Sequence, residues 1–332
     1  MTGSSPRKES HALDSMGHNW WSVCVSMAGF ASLALTGEVE EAKGWVEKVA
    51  NGLIEWFAYR GNILQHKSLN FDKLGAFYEG VAYAEYALSE YLTFVLAYKN
   101  TFGDHPPLPP FIRKVGDFFL HTCYPTSRKL LSINFGDSSL SSTGERTIKL
   151  LFANGLSDKN YLWYLREAGC SGLDPLLLLY PIKLEQAPSL PDLPPSVRYR
   201  DIGWAILRSS WEDNSTLLAV KCGFSWNHAH SDAGSFVLFH SGEPLVVDSG
   251  TCPYSRPEYT TYYRASTAHN VVLFDGRAQR PEDCGYGDRG VAIPGRIPIL
   301  LDGPGFRYIF ADASGPTSWL FSRNYRHFVW VN

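Results

Sequence analysis

The chain has 332 residues, 45% of them hydrophobic, and a formal net charge of −3. That length can bury a substantial core and fits two domains. The charge balance, with no run of Lys or Arg, excludes the basic surface that nucleic-acid binding requires, so a polyanionic partner would need basic residues gathered locally.

The N-terminal stretch MTGSSPRKESHALDSMG is polar and lacks the apolar segment of a signal peptide, and no apolar run is long enough to span a membrane. Helical periodicity begins at Trp20 and runs to Leu35, stopping at Gly37. Trp45, Val49, Leu53 and Trp56 then recur at helical spacing, and Tyr83, Ala87, Tyr91, Phe94 and Tyr98 form one stripe. Further helices fit Pro110 to Leu120, Asp158 to Ala168 and Pro175 to Tyr180. The segment APSLPDLPPS, from Ala187 to Ser196, breaks any helix and reads as a linker.

After the linker, short runs rich in Val, Ile, Leu and Phe alternate with Gly, Pro and Asp turns: Ile202 to Leu207, Leu217 to Cys222, Ser235 to Phe239, Leu245 to Val247, Asn270 to Phe274, Ile297 to Leu301 and Tyr308 to Ala311. The order predicts an α+β multidomain chain: a helical domain over residues 1–186, a linker over 187–197, and an antiparallel β-sandwich over 198–332. The closing RHFVWVN reads as a strand that stops without a turn, the pattern expected of a fragment. The six cysteines have no CxxC spacing, which indicates neither a zinc ribbon nor a disulfide scaffold.

The stretch NHAHSDAGSF, residues 227–236, carries the chemistry. On a strand, His228 and His230 would point to one face, with Ala229 opposite. Asp248, closing EPLVVDSG, and His269, opening HNVVLF, are the natural residues to complete a three-ligand zinc set with one of them. The residues alone leave plainer readings open: a pair of surface histidines, an Asp248 that caps a turn, a His269 bound to a backbone carbonyl. No HExxH arrangement accompanies them, which argues against a zinc hydrolase.

NHAHSDAGSF, PLVVDSG and YYRASTAHNVVLFDG together resemble the β-sandwich signature of the heparinase II/III-like polysaccharide lyases, to which dermatan sulfate epimerase is related. The resemblance implies that His228 is catalytic and that His230, Asp248 and His269 bind a metal, usually zinc. YEGVAYAEY, residues 78–86, is similar to the family helix bearing the catalytic tyrosine, here Tyr83. GHNWW, residues 17–21, resembles the segment that neutralises the substrate carboxylate, here through Asn19, and FGDSS, residues 135–139, also fits. The implied fold is an (α/α) toroid followed by a β-sandwich, both incomplete in this chain. The implied substrate is an acidic polysaccharide such as a glycosaminoglycan or alginate. A periplasmic or secreted setting follows from the family, although this chain carries no signal for it.

Cleavage of a uronate polymer by β-elimination removes the proton at C5 and expels the oxygen at C4. Asn19 suits the neutral donor that stabilises charge building on the carboxylate. Tyr83 and His228 suit the acid and base, expected to approach from opposite faces of the sugar. Zinc need not touch substrate; it would fix the segment that aims His228. Periodicity alone leaves Tyr83 open as a core tyrosine and Asn19 as a helix cap. Tyr86, one turn from Tyr83, competes for its role, and Tyr263 and Arg264 beside the HN pair are candidates for binding substrate or for packing. A C5-uronate epimerase and a non-catalytic carbohydrate-binding relative are the alternatives.

Overall fold

The computed structural model describes residues 17–61, 69–126, 130–141, 144–170, 175–223, 227–228, 230–279, 294–320 and 322–331. The helical half contains α1 (Asn19–Ala34), α2 (Ala42–Ala58), α3 (Val81–Phe102), α4 (Val115–Thr122), α5 (Glu145–Asn154), α6 (Asn160–Glu167) and α7 (Pro175–Leu179), with two short strands, β1 (Cys123–Pro125) and β2 (Leu130–Ser132), paired after α4. Helix α1 lies against α2 and α3. Its small residues explain the close approach, since a Cβ on Gly29 would fall 2.5 Å from the Phe94 ring of α3.

Five antiparallel strands follow in sequence order: β3 (Val197–Tyr199), β4 (Trp204–Arg208), β5 (Thr216–Lys221), β6 (Ser235–His240) and β7 (Glu243–Val246). A second antiparallel sheet joins β8 (Arg296–Asp302), β9 (Phe306–Asp312) and β10 (Tyr325–Val331). Strand periodicity of two sorts the side chains of the five-stranded sheet between its faces. Trp204, Ile206, Leu217, Ala219, Val237 and Phe239 enter one core with α2 to α6. The alternate residues Ala205, Leu207, Val220 and Cys222 enter a second core with Ile297, Ile309 and Ala311 of the three-stranded sheet. Burial on both faces is why β4 reads as a continuous apolar run.

Several expectations need correction. Helix α5, between Gly144 and Gly155, is absent from the periodicity reading. Residues 270–273 form no strand; Asn270 instead ties this segment to the sheet edge by donating its side-chain amide to the carbonyls of Phe236 and Val247, both at 2.9 Å. Asn227, His228 and His230 are likewise in no strand: His228 has φ +57, and among the described residues strand geometry starts only at Ser235. The segment expected as a linker has no regular element from 188 to 196, yet it is tied to α6, with Asp192 N–H donating to Asn160 Oδ1 at 2.7 Å.

His121 at the end of α4 is buried against Tyr199 and Trp211. Burial, aided by the nearby Arg208 guanidinium, pulls its pKa down to about 3. The unfolded chain therefore takes up a proton that the folded chain refuses between roughly pH 6.5 and the folded value. The stability that His121 contributes is complete above about pH 6.5 and is lost as pH falls toward 3. Urea midpoints recorded between pH 7 and 4 should fall less steeply in His121→Leu than in the parent.

Candidate active site

The candidate site forms where the N-termini of α1 and α3, the loop 134–139, residues 227, 228 and 230 and the segment 248–269 meet. The sequence-predicted residues Asn19, Tyr83 and His228 come together there. Asn19, first residue of α1, is fully buried. Its Nδ2 donates to Glu79 Oε2 at 2.7 Å and lies 3.2 Å from His228 Nε2. Tyr83, in the first turn of α3, stacks on the His228 imidazole with ring centroids 3.5 Å apart and planes 15° from parallel. Tyr91 and Phe94 of the same stripe are core residues, whereas Tyr83 is half-buried, at the end of the stripe that leaves the core. The stack leaves no room for another ring between the two groups.

His228 is held in a left-handed backbone conformation that a non-glycine residue seldom adopts, and such strain concentrates at functional positions. Gly136 makes the arrangement possible: it has φ +70, and a Cβ there would press on the His228 carbonyl at 3.2 Å. The neighbouring Asp137 carboxylate accepts from His228 Nδ1 at 2.7 Å and from His230 Nε2 at 2.9 Å. With Nδ1 donating, His228 Nε2 is left as the acceptor, which agrees with the Asn19 amide pointing at it.

Sequence reasoning quoted Glu79, Asn227 and Asp137 inside motifs without giving them roles, and it missed Tyr254 and Tyr259 altogether. Glu79 collects Asn19, Tyr78 at 2.8 Å and Asn227 at 2.8 Å, so it fixes the amide of Asn19. Tyr259 donates to Asp137 at 2.8 Å. The Tyr254 hydroxyl touches Asp137 at 3.2 Å and His228 Nδ1 at 3.1 Å, and it shares a short hydrogen bond with Tyr83. Asp137 is buried, which would raise its pKa, but the donated hydrogen bonds from His228 and His230 hold it well below the usual carboxylate range. Burial, and then the Asp137 charge, push the hydroxyls of Tyr254 and Tyr259 upward. Their one sequence signal was the tyrosine density of PYSRPEYTTYY.

The residues predicted as metal ligands also converge. His230, Asp248 and His269 each offer one ligand atom, all within 4.8 Å of one another, and all three side chains are buried. Asp248 Oδ2 accepts from His269 Nδ1 at 2.8 Å, and His269 Nε2 has no hydrogen-bond partner among the described residues. Burial lowers the pKa of His230; for His269 burial acts the same way, but the Asp248 carboxylate outweighs it and leaves the pKa raised. Two imidazoles, one carboxylate and an orphaned buried ring nitrogen fit a three-ligand zinc set.

The residues expected to bind substrate do not all reach this cluster. Tyr86 is exposed and packs edge-on to Trp20, with centroids 6.4 Å apart. Tyr263 sits in a single π-helical turn, Tyr259–Tyr263, edge-on to Tyr262. Arg264 is buried, with its guanidinium 5.5 Å from the Tyr259 ring centroid and its carbonyl accepting from Ser231 N–H, so it packs behind the site.

Residues 191–289 match the family model described as heparinase II/III-like, C-terminal, and the match takes in His228, His230, Asp248 and His269. The resemblance read from the motifs is shown. A heparin-sulfate lyase of Bacteroides stercoris is 30% identical over 80 residues, which are 23% of this chain and 12% of that protein. The crystal structure of a heparinase III aligns with a TM-score of 0.67 at 16% identity, over 95% of this chain and 46% of that one. A heparan sulfate lyase mutant from Pedobacter heparinus aligns with a TM-score of 0.61 at 16% identity, over 97% of this chain and 46% of that one. The chain thus shares the mixed helical and antiparallel-sheet fold of these structures and spans less than half of their length. Among the described residues, no helix is long and apolar enough to cross a membrane.

Proposed function

We propose that this heparinase II/III-like chain is part of a polysaccharide lyase that cleaves a uronate-containing polymer by β-elimination. The observation that carries the reading is the meeting of Asn19, Tyr83 and His228, with Asn19 Nδ2 at 3.2 Å from His228 Nε2 and Tyr83 stacked on the same ring. The lyases named among its relatives act on heparin or heparan sulfate, which makes a sulfated glycosaminoglycan the first substrate to test and alginate the second. The helical half is read as part of an (α/α) toroid and the two sheets as part of a β-sandwich, with the domain boundary in 187–197.

In this reading the substrate carboxylate displaces the contact between Asn19 and His228. The Asn19 amide then donates to the carboxylate as negative charge builds during removal of the C5 proton, while Glu79 keeps the amide in place. His228 Nε2, released from the amide, is the lone pair that can take the proton, with Nδ1–H anchored on Asp137. Tyr83 lies on the same side and is the donor for the leaving oxygen at C4. Zinc held by His230, Asp248 and His269 would supply a fixed positive charge that locks the 227–269 segments, without contact to substrate.

The stack favours elimination over epimerisation, which must return a proton from the opposite face. The test is near-ultraviolet absorbance of the 4,5-unsaturated uronate on heparan sulfate, chondroitin, dermatan, hyaluronan and alginate. A rise on one polymer supports the lyase. Deuterium entering C5 without chain cleavage would make the protein an epimerase, and binding with neither would make it a carbohydrate-binding relative. Asn19→Ala should lower kcat/KM by ~10² to 10³, the usual loss when one preorganised donor to a developing anion is removed.

A further inference from the structure

We propose that Asp137 is a positioning residue shared by two centres, holding His228 for proton transfer and His230 for cation binding, so that both functions depend on one carboxylate. The inference rests on the reading of His230, Asp248 and His269 as a metal set.

The two oxygens of Asp137 divide the work. Oδ2 takes His228 Nδ1 at 2.7 Å, Tyr259 at 2.8 Å and Tyr254 at 3.2 Å. Oδ1 takes His230 Nε2 at 2.9 Å and the Thr251 hydroxyl at 3.0 Å. A carboxylate accepts about four hydrogen bonds, so five donors leave no place for a proton of its own. Each imidazole must therefore present N–H to Asp137, and in its neutral form it carries its lone pair on the other nitrogen. For His228 that nitrogen is Nε2, which faces Asn19; for His230 it is Nδ1, the nitrogen that can bind a cation.

The loop carrying Asp137 reaches further into both centres. Asn134 Nδ2 donates to the Asp248 carbonyl at 2.8 Å, and the Ser138 hydroxyl accepts from Ala82 N–H at 3.2 Å in the first turn of α3, beside Tyr83. The 134–139 loop of the helical half is thus the physical link between the cation set and the helix that presents the acid.

An asparagine at 137 can accept from one imidazole but would turn an N–H against the other. Zinc affinity is to be measured on the whole chain by competition with a chromogenic chelator, for the parent, Asp137→Asn, His228→Asn and Asp248→Asn. Asp137→Asn should weaken zinc 10- to 100-fold, as loss of an outer partner of a ligating histidine usually does. His228→Asn, which touches only the catalytic side of the carboxylate, should change it less than about threefold. Zinc affinity in Asp137→Asn equal to that of a tight-binding parent would overturn the shared role and leave the metal set standing. A parent that binds zinc no better than Asp248→Asn would remove the metal set and this inference with it. Nitrogen-15 spectra of histidine-labelled parent provide a readout that needs no variant to fold: His228 must be protonated at Nδ1 and His230 at Nε2. The opposite tautomer at either ring would sink the proposal.

Discussion

Replacing His228 by asparagine is expected to lower kcat/KM on the cleaved polymer by ~10² to 10⁴, the range of a general base or acid. Asparagine tolerates the left-handed backbone at φ +57 and keeps an N–H for Asp137, so the fold should survive and only the lone pair is lost. Tyr83→Phe should fall in the same range, because the ring can still stack while the donor is gone. The two losses should not add. His228 and Tyr83 are in contact and joined through Tyr254, so under the proposed mechanism the double variant should be about as slow as the slower single. Full additivity would mean that the two groups act in separate steps, and unchanged turnover in either single variant would remove it from the chemistry. Circular dichroism and the melting temperature of each variant separate lost chemistry from lost fold.

The helices whose apolar positions recur at helical spacing, such as α2 and α3, and the strands buried on both faces, such as β4 and β5, are legible in the sequence because local pattern and tertiary burial agree. The spatial order of the five-stranded sheet also follows the chain, as antiparallel neighbours joined by short turns usually do. The His228 and His230 segment misled the strand reading because its geometry is set by a remote carboxylate. Nothing within ten residues of His228 shows that Asp137 will accept from both rings. Tyr254 and Tyr259 were invisible for the same reason, since their role depends on a contact across more than a hundred residues, with |i−j| of 117 and 122. Arg264 shows the opposite case: an arginine beside a motif suggests either an anion site or packing, and its burial and its place 5.5 Å from the Tyr259 ring centroid come from the tertiary fold and not from the motif. The motifs named three residues that the structure brings together, because the segment after β7 and the 3₁₀ turn Ser266–Ala268 place Asp248 beside His269.

Stripping bound metal with a chelator is expected to lower the melting temperature substantially. A ligand bound only by the folded state at about 1,000 times its Kd adds about 4 kcal/mol, or roughly 8 °C at the ~2 °C per kcal/mol of a large domain. The structure gives a reason beyond mass action. His230, Asp248 and His269 are buried, and His269 Nε2 lacks a partner among the described residues, a situation that costs ~1 to 3 kcal/mol unless an ion or a water satisfies it. Zinc should restore the melting temperature and magnesium should not, because magnesium seeks an octahedral shell of oxygens and two of the three ligands here are imidazoles. Asp248→Asn should abolish the zinc-dependent shift while leaving Asn19, Tyr83 and His228 in place. If the chelator moves nothing and zinc moves nothing, the triplet is a hydrogen-bonded brace for the 230–269 segments. The aim of His228 would then rest on Asp137 and the strained backbone alone. A zinc-dependent melting temperature with unchanged turnover in the stripped enzyme would instead assign the metal to holding the fold and leave the chemistry to Asn19, Tyr83 and His228.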